Sequence, residues 1–298
     1  MSVHDDSALL VQHASEIHDY VKPPETLNDD ITFELAFLEA FREKGYELTA
    51  DDIADKWIGY IPFAYTAEGV ALNQLRQGIY PPESAYVANP YREMIGAAMR
   101  AAVCGTIAPG NPKLAAELAW KDGSISHHNN GILTEIFNAV IVSMSYVEKD
   151  IHVILDKACE MIPKDSEFYS VIAFARKACE TSATYREACE KCEEKYKEYN
   201  WVHAYPNMAF EIVAMHFAGN DFEKAMTILM MAGQDNDCTG GPIGHAYGTL
   251  LGKEAIGDKF ILPLQDQLDT YVRTMESQTI TSLSEKTTEA ILKYNKQS

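Results

Sequence analysis

Apolar residues along most of this chain recur at the spacing of α-helices. Between Ile31 and Phe41 they fall at positions 31, 33, 35, 37, 38 and 41, which predicts a largely buried helix. The same pattern predicts helices over residues 94–103, 112–119, 131–147, 151–161, 166–181, 208–217, 222–231 and 241–251. No segment alternates convincingly between apolar and polar residues, so we predict no strands. The pattern therefore indicates an all-α protein.

Proline and glycine clusters separate these segments and predict short polar loops. They lie at residues 22–24, 78–82, 109–112, 163, 206–207 and 219–221. No Pro/Gly/Ser-rich linker divides the 298 residues, and no period of 20–50 residues repeats. We therefore expect a single domain.

Charge is the most unusual feature of the composition. With 25 basic and 44 acidic residues the formal net charge is −19, which would repel a phosphate backbone and suits cation binding. Long nucleic acid is thus an unfavourable partner. The N-terminus has no signal-peptide pattern, and no apolar run approaches the roughly 20 residues that cross a bilayer, so we expect a soluble, cytoplasmic protein without a membrane partner.

Six cysteines are too few for a disulfide framework in a chain of this length. Cys189 and Cys192 form a C-x-x-C pattern, but it lies in the charged segment 184–199 and has no second pair of metal ligands. We interpret this pattern as incidental and the segment as a solvated helical face.

Asn28, Asp29 and Asp30 stand immediately before the helix predicted from Ile31. Such residues commonly cap a helix, because a side-chain oxygen accepts a hydrogen bond from a free backbone N–H group. Capping needs only one oxygen, however, and two adjacent aspartates repel each other, whereas a hard cation would use both. The residues alone leave both a cap and a metal site open.

Asp235 and Asp237 form a D-x-D pattern directly after the helix predicted at 222–231. Two carboxylates on an extended turn suit Mg²⁺ or Mn²⁺, although the pattern alone also fits an ordinary turn. The following helix carries glycine at positions 240, 241, 244, 248 and 252. Each interior glycine costs a helix up to about 1 kcal/mol relative to alanine, so this spacing predicts close approach of another helix or a ligand.

Several segments, in this order along the chain, resemble the ADP-ribosylglycohydrolase family. Gly233-Gln234-Asp235-Asn236-Asp237-Cys238, followed by a small-residue helix, resembles the family signature G-x-D-T-D-[TC]. Asn28-Asp29-Asp30 is similar to the T-D-D signature near the start of a long helix. Further similar features are residues 109–112, the Ser126-His127 step, the Asn130-Gly131 pair and residues 203–207. The resemblance covers roughly residues 25–257.

The resemblance implies a fold and an activity. The fold would be an all-α, compact orthogonal multi-helix bundle forming one domain over residues 1–298, with an atypical or flexible segment at 1–24. The activity would be metal-dependent hydrolysis of an ADP-ribosyl or related ribosyl linkage, on small-molecule or protein-linked ADP-ribose. Two divalent cations, usually Mg²⁺ with Mn²⁺ as the alternative, would lie between the two acidic clusters.

The resemblance also assigns site residues by position. The implied metal ligands are Asn28, Asp29, Asp30, Asp235, Asp237, Cys238 and Thr239. The implied catalytic residues are Asp29, Asp30 and Asp235. The implied substrate-binding residues are Ser126, His127, Asn130, Gly131, Asn207 and Gly233.

Three differences from the family pattern bear on activity. Asn28 replaces the usual Thr, and Cys238 replaces a ligating Thr, so Thr239 or a softer ion such as Mn²⁺ could compensate. The usual Gly-rich G-D-x-x-G element has no counterpart in residues 1–25, where Glu16 or Glu25 could supply the missing carboxylate. The alternatives are a non-catalytic binding protein of this family, or a hydrolase of nucleosides or other N-glycosides. The oligomeric state stays open.

Three further residues or segments have a structural interpretation. Arg100 lies on an apolar helix and needs an anionic partner, for which we favour a structural carboxylate over a ligand phosphate. His245 lies among glycines and is predicted to be a hydrogen-bonded core histidine. The aromatic-rich segment 57–65 is predicted to belong to the core.

Overall fold

The computed structural model describes residues 27–295 of the chain, which form helices joined by short loops. The first half contains α1 (Asp30–Lys44), α2 (Ala50–Tyr60), α3 (Thr66–Arg76), α4 (Glu83–Tyr86), α5 (Gly96–Met99), α6 (Ala102–Ile107), α7 (Pro112–Gly123) and α8 (Asn130–Ser145). The second half contains α9 (Ile151–Glu160), α10 (Glu167–Glu180), α11 (Tyr185–Tyr196), α12 (Ala204–Ala218), α13 (Phe222–Ala232), α14 (Asn236–Leu251), α15 (Lys253–Ile256), α16 (Asp258–Ile261) and α17 (Ile280–Asn295). Single 3₁₀ turns lie at Gly45–Glu47 and Leu262–Leu264. Within residues 27–295, no helix is long and apolar enough to cross a membrane.

Two almost completely buried helices organise the bundle. Helix α8 is apolar around most of its circumference and packs against α5, α6, α7, α9 and α14. Helix α12 is similarly buried and packs against α10, α11 and α13. Helix α1 packs against α2, α6 and α17, whereas α14 packs against α5, α6, α8 and α13, so α6 contacts both helices whose N-termini carry the acidic residues.

The helices predicted from apolar periodicity after residue 103 are all present, with ends within five residues of the prediction. Their starts follow capping chemistry: Asn111 accepts a hydrogen bond from the Leu114 N–H ahead of a proline at the first helical position. The polar segment 184–199 forms the largely exposed helix α11, as predicted. All six cysteines are free, so the expected absence of a disulfide framework is confirmed.

Two predictions about secondary structure are wrong. The helix predicted over 94–103 is broken at Arg100 and Ala101 into α5 and α6. The Glu34 carboxylate accepts hydrogen bonds from the backbone N–H groups of Ala102 and Val103, so a new helix begins there. Two short antiparallel strands, β1 (Gln267–Asp269) and β2 (Ser277–Thr279), also pair in a segment where we predicted none. They are too short and polar to leave an alternating pattern.

Part of the aromatic segment 57–65 also departs from its prediction. Trp57 is fully buried, as expected of a core residue. Phe63 and Tyr65, in contrast, are 46% and 60% exposed. The segment therefore leaves the core after α2 and presents two aromatic rings at the surface.

Replacement of Gly105 with alanine should destabilise the protein, because α6 and α8 touch there. A Cβ atom at position 105 would lie 2.4 Å from the Ala139 carbonyl oxygen and 2.6 Å from the Val142 Cβ. We expect Gly105→Ala to lower the free energy of unfolding by about 1–3 kcal/mol, measured by urea denaturation. Gly59→Ala is the matched control, since no atom lies within 4 Å of its added Cβ, and it should stabilise α2 slightly. Equal effects of the two substitutions would contradict close packing at Gly105.

Candidate active site

The first acidic cluster lies at the N-terminus of α1, and the side chains of its two aspartates do not cap the helix. The Asn28 side-chain oxygen accepts a hydrogen bond from the Asp30 backbone N–H at 2.6 Å. Asp29 occupies the N-cap position, yet its carboxylate makes no capping hydrogen bond. Capping is thus performed by Asn28, which leaves the carboxylates of Asp29 and Asp30 available to a ligand.

The second acidic cluster lies in the turn between α13 and α14. Gly233 and Gln234 have positive φ angles of 76° and 68°, and the latter is uncommon for a residue with a side chain. The Asn207 side-chain oxygen accepts a hydrogen bond from the Asp235 backbone N–H at 3.0 Å. The Thr239 hydroxyl donates to the Asp235 carbonyl oxygen at 3.1 Å. The turn is therefore held from both sides, with Asp235 at the start of α14.

The two clusters converge although they are about 200 residues apart in sequence. Ligand atoms of Asp30, Asp237 and Cys238 all lie within 4.8 Å of one another. The Asn28 amide nitrogen lies 3.4 Å from an Asp237 oxygen, and the Cys238 sulfur lies 3.8 Å from an Asp30 oxygen. A Cβ atom at Gly241 would lie 3.6 Å from Asp30 Oδ2. The glycine therefore leaves room beside this carboxylate.

Close approach and burial change the protonation of these groups. Burial raises the pKa of Asp30 to about 8, and the charges of Asp237 and Asp29 act in the same direction. Burial also raises the pKa of Asp235 to about 7, aided by its hydrogen bond with Asp237. The pKa of the Cys238 thiol is raised by burial and by Asp30, so this side chain stays a neutral thiol. The site therefore disfavours ionised carboxylates when no cation is present, and a bound cation would stabilise them.

The donor set fits a hard divalent cation. Carboxylate and amide oxygens are the ligands that Mg²⁺ and Mn²⁺ take in proteins. Asp30 and Asp237 offer such oxygens at close range, whereas the Asn28 oxygen is engaged with the backbone. Cys238 is a weak ligand as a neutral thiol. The Thr239 hydroxyl hydrogen bonds to backbone carbonyl groups and is a less available donor.

A second charged network, centred on Arg100, is buried next to the acidic site. Arg100 is 1% exposed, donates to Glu68 at 2.7 Å and also pairs with Asp122. Its guanidinium lies 5.0 Å from the centre of the Trp57 ring. The predicted structural partner of Arg100 is thus confirmed as a pair of carboxylates. Burial raises the pKa of Glu68 to about 7 against the opposing effect of Arg100.

Ser126 and His127 belong to this Arg100 network. Arg100 donates to the Ser126 hydroxyl at 3.0 Å, and Ser126 in turn contacts His127 Nδ1 at 2.9 Å. Burial, together with Arg100, keeps the pKa of His127 well below its usual value, so this histidine is neutral. Among the described contacts, both side chains face the network, and neither contacts the acidic clusters directly.

The other residues that were predicted to bind substrate contact neighbouring parts of the protein. The Asn130 side chain donates to Glu93 at 2.9 Å and accepts from the Phe168 backbone N–H at 3.0 Å. A Cβ at Gly131 would lie 2.4 Å from the Arg92 carbonyl oxygen, so the chain passes closely there. Asn207 contacts the acidic site through Asp235, and Gly233 forms its turn. Asn207 and Gly233 are thus the two of this group that shape the site.

An aromatic surface near the first acidic cluster was not predicted. Phe63 stacks on Tyr271 with ring centres 4.5 Å apart, and Tyr65 packs edge-on against Phe63 at 5.8 Å. Burial raises the pKa of Tyr271, and the charges of Asp29 and Asp30 add to this effect, which indicates that its hydroxyl lies near them. Tyr271 comes from the loop between β1 and β2, and nothing in its sequence surroundings signals this placement.

Two acidic residues on apolar helix faces, the buried Glu68 and the half-buried Glu34, could have been found from the sequence. Glu34 occupies the same face of α1 as Ile31, Leu35 and Leu38, and Glu68 lies on the buried face of α3. A lone acidic residue within an apolar stripe was the available signal. The candidate residues Glu16 and Glu25 lie outside the described part of the chain.

Comparisons with known proteins agree with this arrangement of helices. The sequence profile of the family ADP-ribosylglycohydrolase matches residues 4–295. The chain therefore belongs to the ADP-ribosylglycohydrolase family. A solved structure described as an ADP-ribosylglycohydrolase-related protein complex is similar in fold, with a TM-score of 0.60 at 18% sequence identity, covering 90% of this chain and 81% of that one. Among curated protein sequences, none matches this chain.

Family and fold together support a glycohydrolase-type function. The sequence-based expectations of this family and of an all-α fold are confirmed. The family also implies a substrate of the ADP-ribose type.

Proposed function

We propose that this protein is a metal-dependent hydrolase that cleaves an ADP-ribosyl or related ribosyl linkage at a site with two Mg²⁺-type cations. The observation that carries the proposal is the convergence of the two acidic clusters. Asp30 and Asp237 approach each other from opposite ends of the chain, and neither is neutralised by a basic side chain among the contacts described above. Carboxylates held together in this way without a cation repel each other, which a ligand site explains and a structural role does not.

Asp29, Asp30, Asp235 and Asp237 would hold the cations. Bound divalent ions would orient ribose hydroxyl groups and lower the pKa of a water molecule. The side chains themselves would stabilise the positive charge that develops at the anomeric carbon as the bond to the leaving group breaks. The water oxygen would bond to that carbon, the leaving group would keep the bonding electrons, and a proton from the water would reach it.

The aromatic surface supports a substrate with a planar group. Phe63 and Tyr65 leave much of their rings exposed beside the site, at 46% and 60%. Exposed aromatic faces attract planar ring systems by stacking. A nucleotide-containing substrate would supply such a ring, whereas a simple sugar would not.

Replacement of Cys238 with threonine should strengthen Mg²⁺ binding. The neutral thiol is a poor partner for a hard ion, and a hydroxyl oxygen at the same position is a better one. We expect Cys238→Thr to increase the affinity for Mg²⁺ by up to about tenfold while changing the affinity for Mn²⁺ less. Calorimetric titration of both ions into both proteins measures this. An unchanged ratio of Mg²⁺ to Mn²⁺ affinity would show that Cys238 does not face the cation.

A turnover assay tests the proposed activity. The chelator-treated protein is incubated with ADP-ribosyl-arginine, an ADP-ribosyl-serine peptide and a simple nucleoside, with and without added Mg²⁺ or Mn²⁺, and released products are separated by chromatography. We expect release of ADP-ribose from one of the ADP-ribosyl substrates only when metal is present, and loss of that release in Asp237→Asn. Binding of ADP-ribose without turnover of any substrate would instead indicate a non-catalytic member of the family. Turnover of the nucleoside alone would indicate a different N-glycosidase.

A further inference from the structure

A cavity of about 570 Å³ lies between α1, α6, α14 and the C-terminal helix α17. Its walls are mainly apolar and include Leu35, Leu38, Val103, Leu283 and Ile291. The size falls in the range of sites for small organic ligands. None of the aspartates at the acidic site lines it, so among the described residues this cavity is separate from that site.

The hydroxyl groups that α17 contributes to this cavity are already engaged. Ser284 and Thr287 donate to backbone carbonyl oxygens of their own helix, at 3.0 Å and 2.8 Å. Thr288 does the same at 2.9 Å. The C-terminal helix thus offers the cavity an apolar surface with few free hydrogen-bond donors.

His245 is one of the residues that line the cavity, and its ring carries a hydrogen-bond acceptor. The Thr106 hydroxyl donates to the Ala102 carbonyl oxygen at 2.9 Å, so it can only accept from His245 Nε2, which lies 2.8 Å away. His245 therefore carries its proton on Nε2, and its Nδ1 is an acceptor. Burial lowers the pKa of His245 to about 4, so the ring is neutral at physiological pH. The interpretation of His245 as a hydrogen-bonded residue is confirmed, but the residue also lines a cavity.

Glu34 is the one carboxylic acid among the described lining residues of this cavity. Its carboxyl group accepts from two backbone N–H groups at the start of α6, and two carboxylate oxygens have further acceptor capacity. Two further acidic groups act on Glu34: Asp30, one turn earlier on α1, and Asp122 from α7, which is itself paired with Arg100. Glu34 therefore lies in a mainly apolar cavity whose described wall contains no lysine or arginine.

We propose that this cavity binds an amine with an apolar body, the ammonium group pairing with Glu34 and the body packing against α17. Charge complementarity favours a cation, because the described lining offers a carboxyl group at Glu34 and no lysine or arginine. The apolar walls favour an aromatic or aliphatic body over a sugar or nucleotide. His245 Nδ1 provides a second acceptor for an N–H group. The inference concerns a site other than the proposed hydrolase site and does not depend on that activity.

Proton release should accompany amine binding. Burial raises the pKa of Glu34 to about 8, so at pH 7 its carboxyl group is mostly protonated. An ammonium group favours the carboxylate, so binding at pH 7 should displace about one proton. The affinity should therefore rise about fivefold from pH 7 to pH 8 and level off above the pKa of Glu34, while the ammonium stays charged.

Calorimetric titration of tryptamine into the full chain tests the proposal. Tryptophol, its uncharged hydroxyl counterpart, is titrated in parallel, and each experiment is repeated at pH 7 and pH 8 in two buffers of different ionisation enthalpy. We expect saturable tryptamine binding that is tighter at pH 8, a buffer-dependent heat that reports proton release at pH 7, and weaker, pH-independent binding of tryptophol. Absence of saturable tryptamine binding at both pH values would overturn the proposal.

Variants separate the role of Glu34 from that of the cavity. Glu34→Gln should weaken tryptamine binding at least about tenfold at pH 8 while leaving tryptophol binding unchanged. Glu43→Gln, on the exposed side of the same helix, is the matched control and should not change either. Thr287→Trp should abolish binding of both compounds by filling the cavity without touching Glu34. Equal tryptamine affinity in Glu34→Gln and the parent would overturn the assignment, as would unchanged binding in Thr287→Trp.

Discussion

Replacement of Asp30 with asparagine is expected to stabilise the metal-free protein while removing its activity. Asp30 is buried and is surrounded by the carboxylates of Asp29, Asp235 and Asp237, so a neutral amide of the same shape relieves repulsion. We expect the melting temperature without metal to rise by about 2–4 °C, corresponding to about 1 kcal/mol. The same change should lower kcat/KM at least about 100-fold, since it removes a charged ligand from the site.

Melting temperatures measured with and without Mg²⁺ test the role of Asp30 further. The parent protein should gain thermal stability from Mg²⁺, because the ion binds only the folded state, and Asp30→Asn should gain much less. Asp51→Asn is the control, since Asp51 is an exposed aspartate in the first turn of α2. It should change neither activity nor the response to Mg²⁺. A loss of stability in metal-free Asp30→Asn would indicate that Asp30 has a structural role.

Replacement of Arg100 with leucine is expected to give the largest loss of stability. The substitution leaves the carboxyl groups of Glu68 and Asp122 buried without their cationic partner. Breaking a buried ion pair in this way costs about 3–5 kcal/mol, or roughly 6–10 °C in melting temperature for a chain of this size. Thermal unfolding followed by circular dichroism measures the effect. A loss below about 1 kcal/mol would contradict the assigned network.

Three further variants serve as controls for the loss of stability expected in Arg100→Leu. Arg42→Leu removes an exposed ion pair with Glu39 and should change stability by less than about 0.5 kcal/mol. Arg100→Lys keeps the positive charge but lacks the guanidinium group that pairs with both Glu68 and Asp122. The melting temperature of this variant should therefore lie between those of the parent and Arg100→Leu. Burial raises the pKa of Glu135 well above its usual value, so this group is neutral. Glu135→Gln should therefore cost little.

The fold could be predicted where buried helices are apolar on a regular period. Helices such as α8 and α12 leave a clear pattern because their environment is apolar on nearly every side. The break between α5 and α6 was not predictable, since it depends on Glu34 from α1, which supplies hydrogen-bond acceptors from far along the chain. The pairing of β1 with β2 was missed because strands of three residues, with Leu268 the one apolar residue among the six, give no usable alternation.

The acidic site could be predicted in part because its two clusters are local in sequence. The residues alone could not show whether the aspartates cap the helix or bind a ligand. The answer depends on Asn28, whose side-chain oxygen accepts a hydrogen bond from the backbone N–H of Asp30. The involvement of Ser126 and His127 with Arg100 depends on how α5 and α7 pack. Tyr271 reaches the site through a loop near the C-terminus, and no sequence pattern reports such a contact.

Isothermal titration of ADP-ribose, with and without Mg²⁺ or Mn²⁺, tests most directly whether the two acidic clusters form one metal-dependent site. The parent chain is compared with the Asp235→Ala, Asp237→Ala double variant, and a folded state of both is verified by circular dichroism. Saturable binding that requires metal in the parent and is lost in the double variant is the result we predict. Binding of equal strength in both proteins, or no binding to the parent with either metal, would contradict the proposed site.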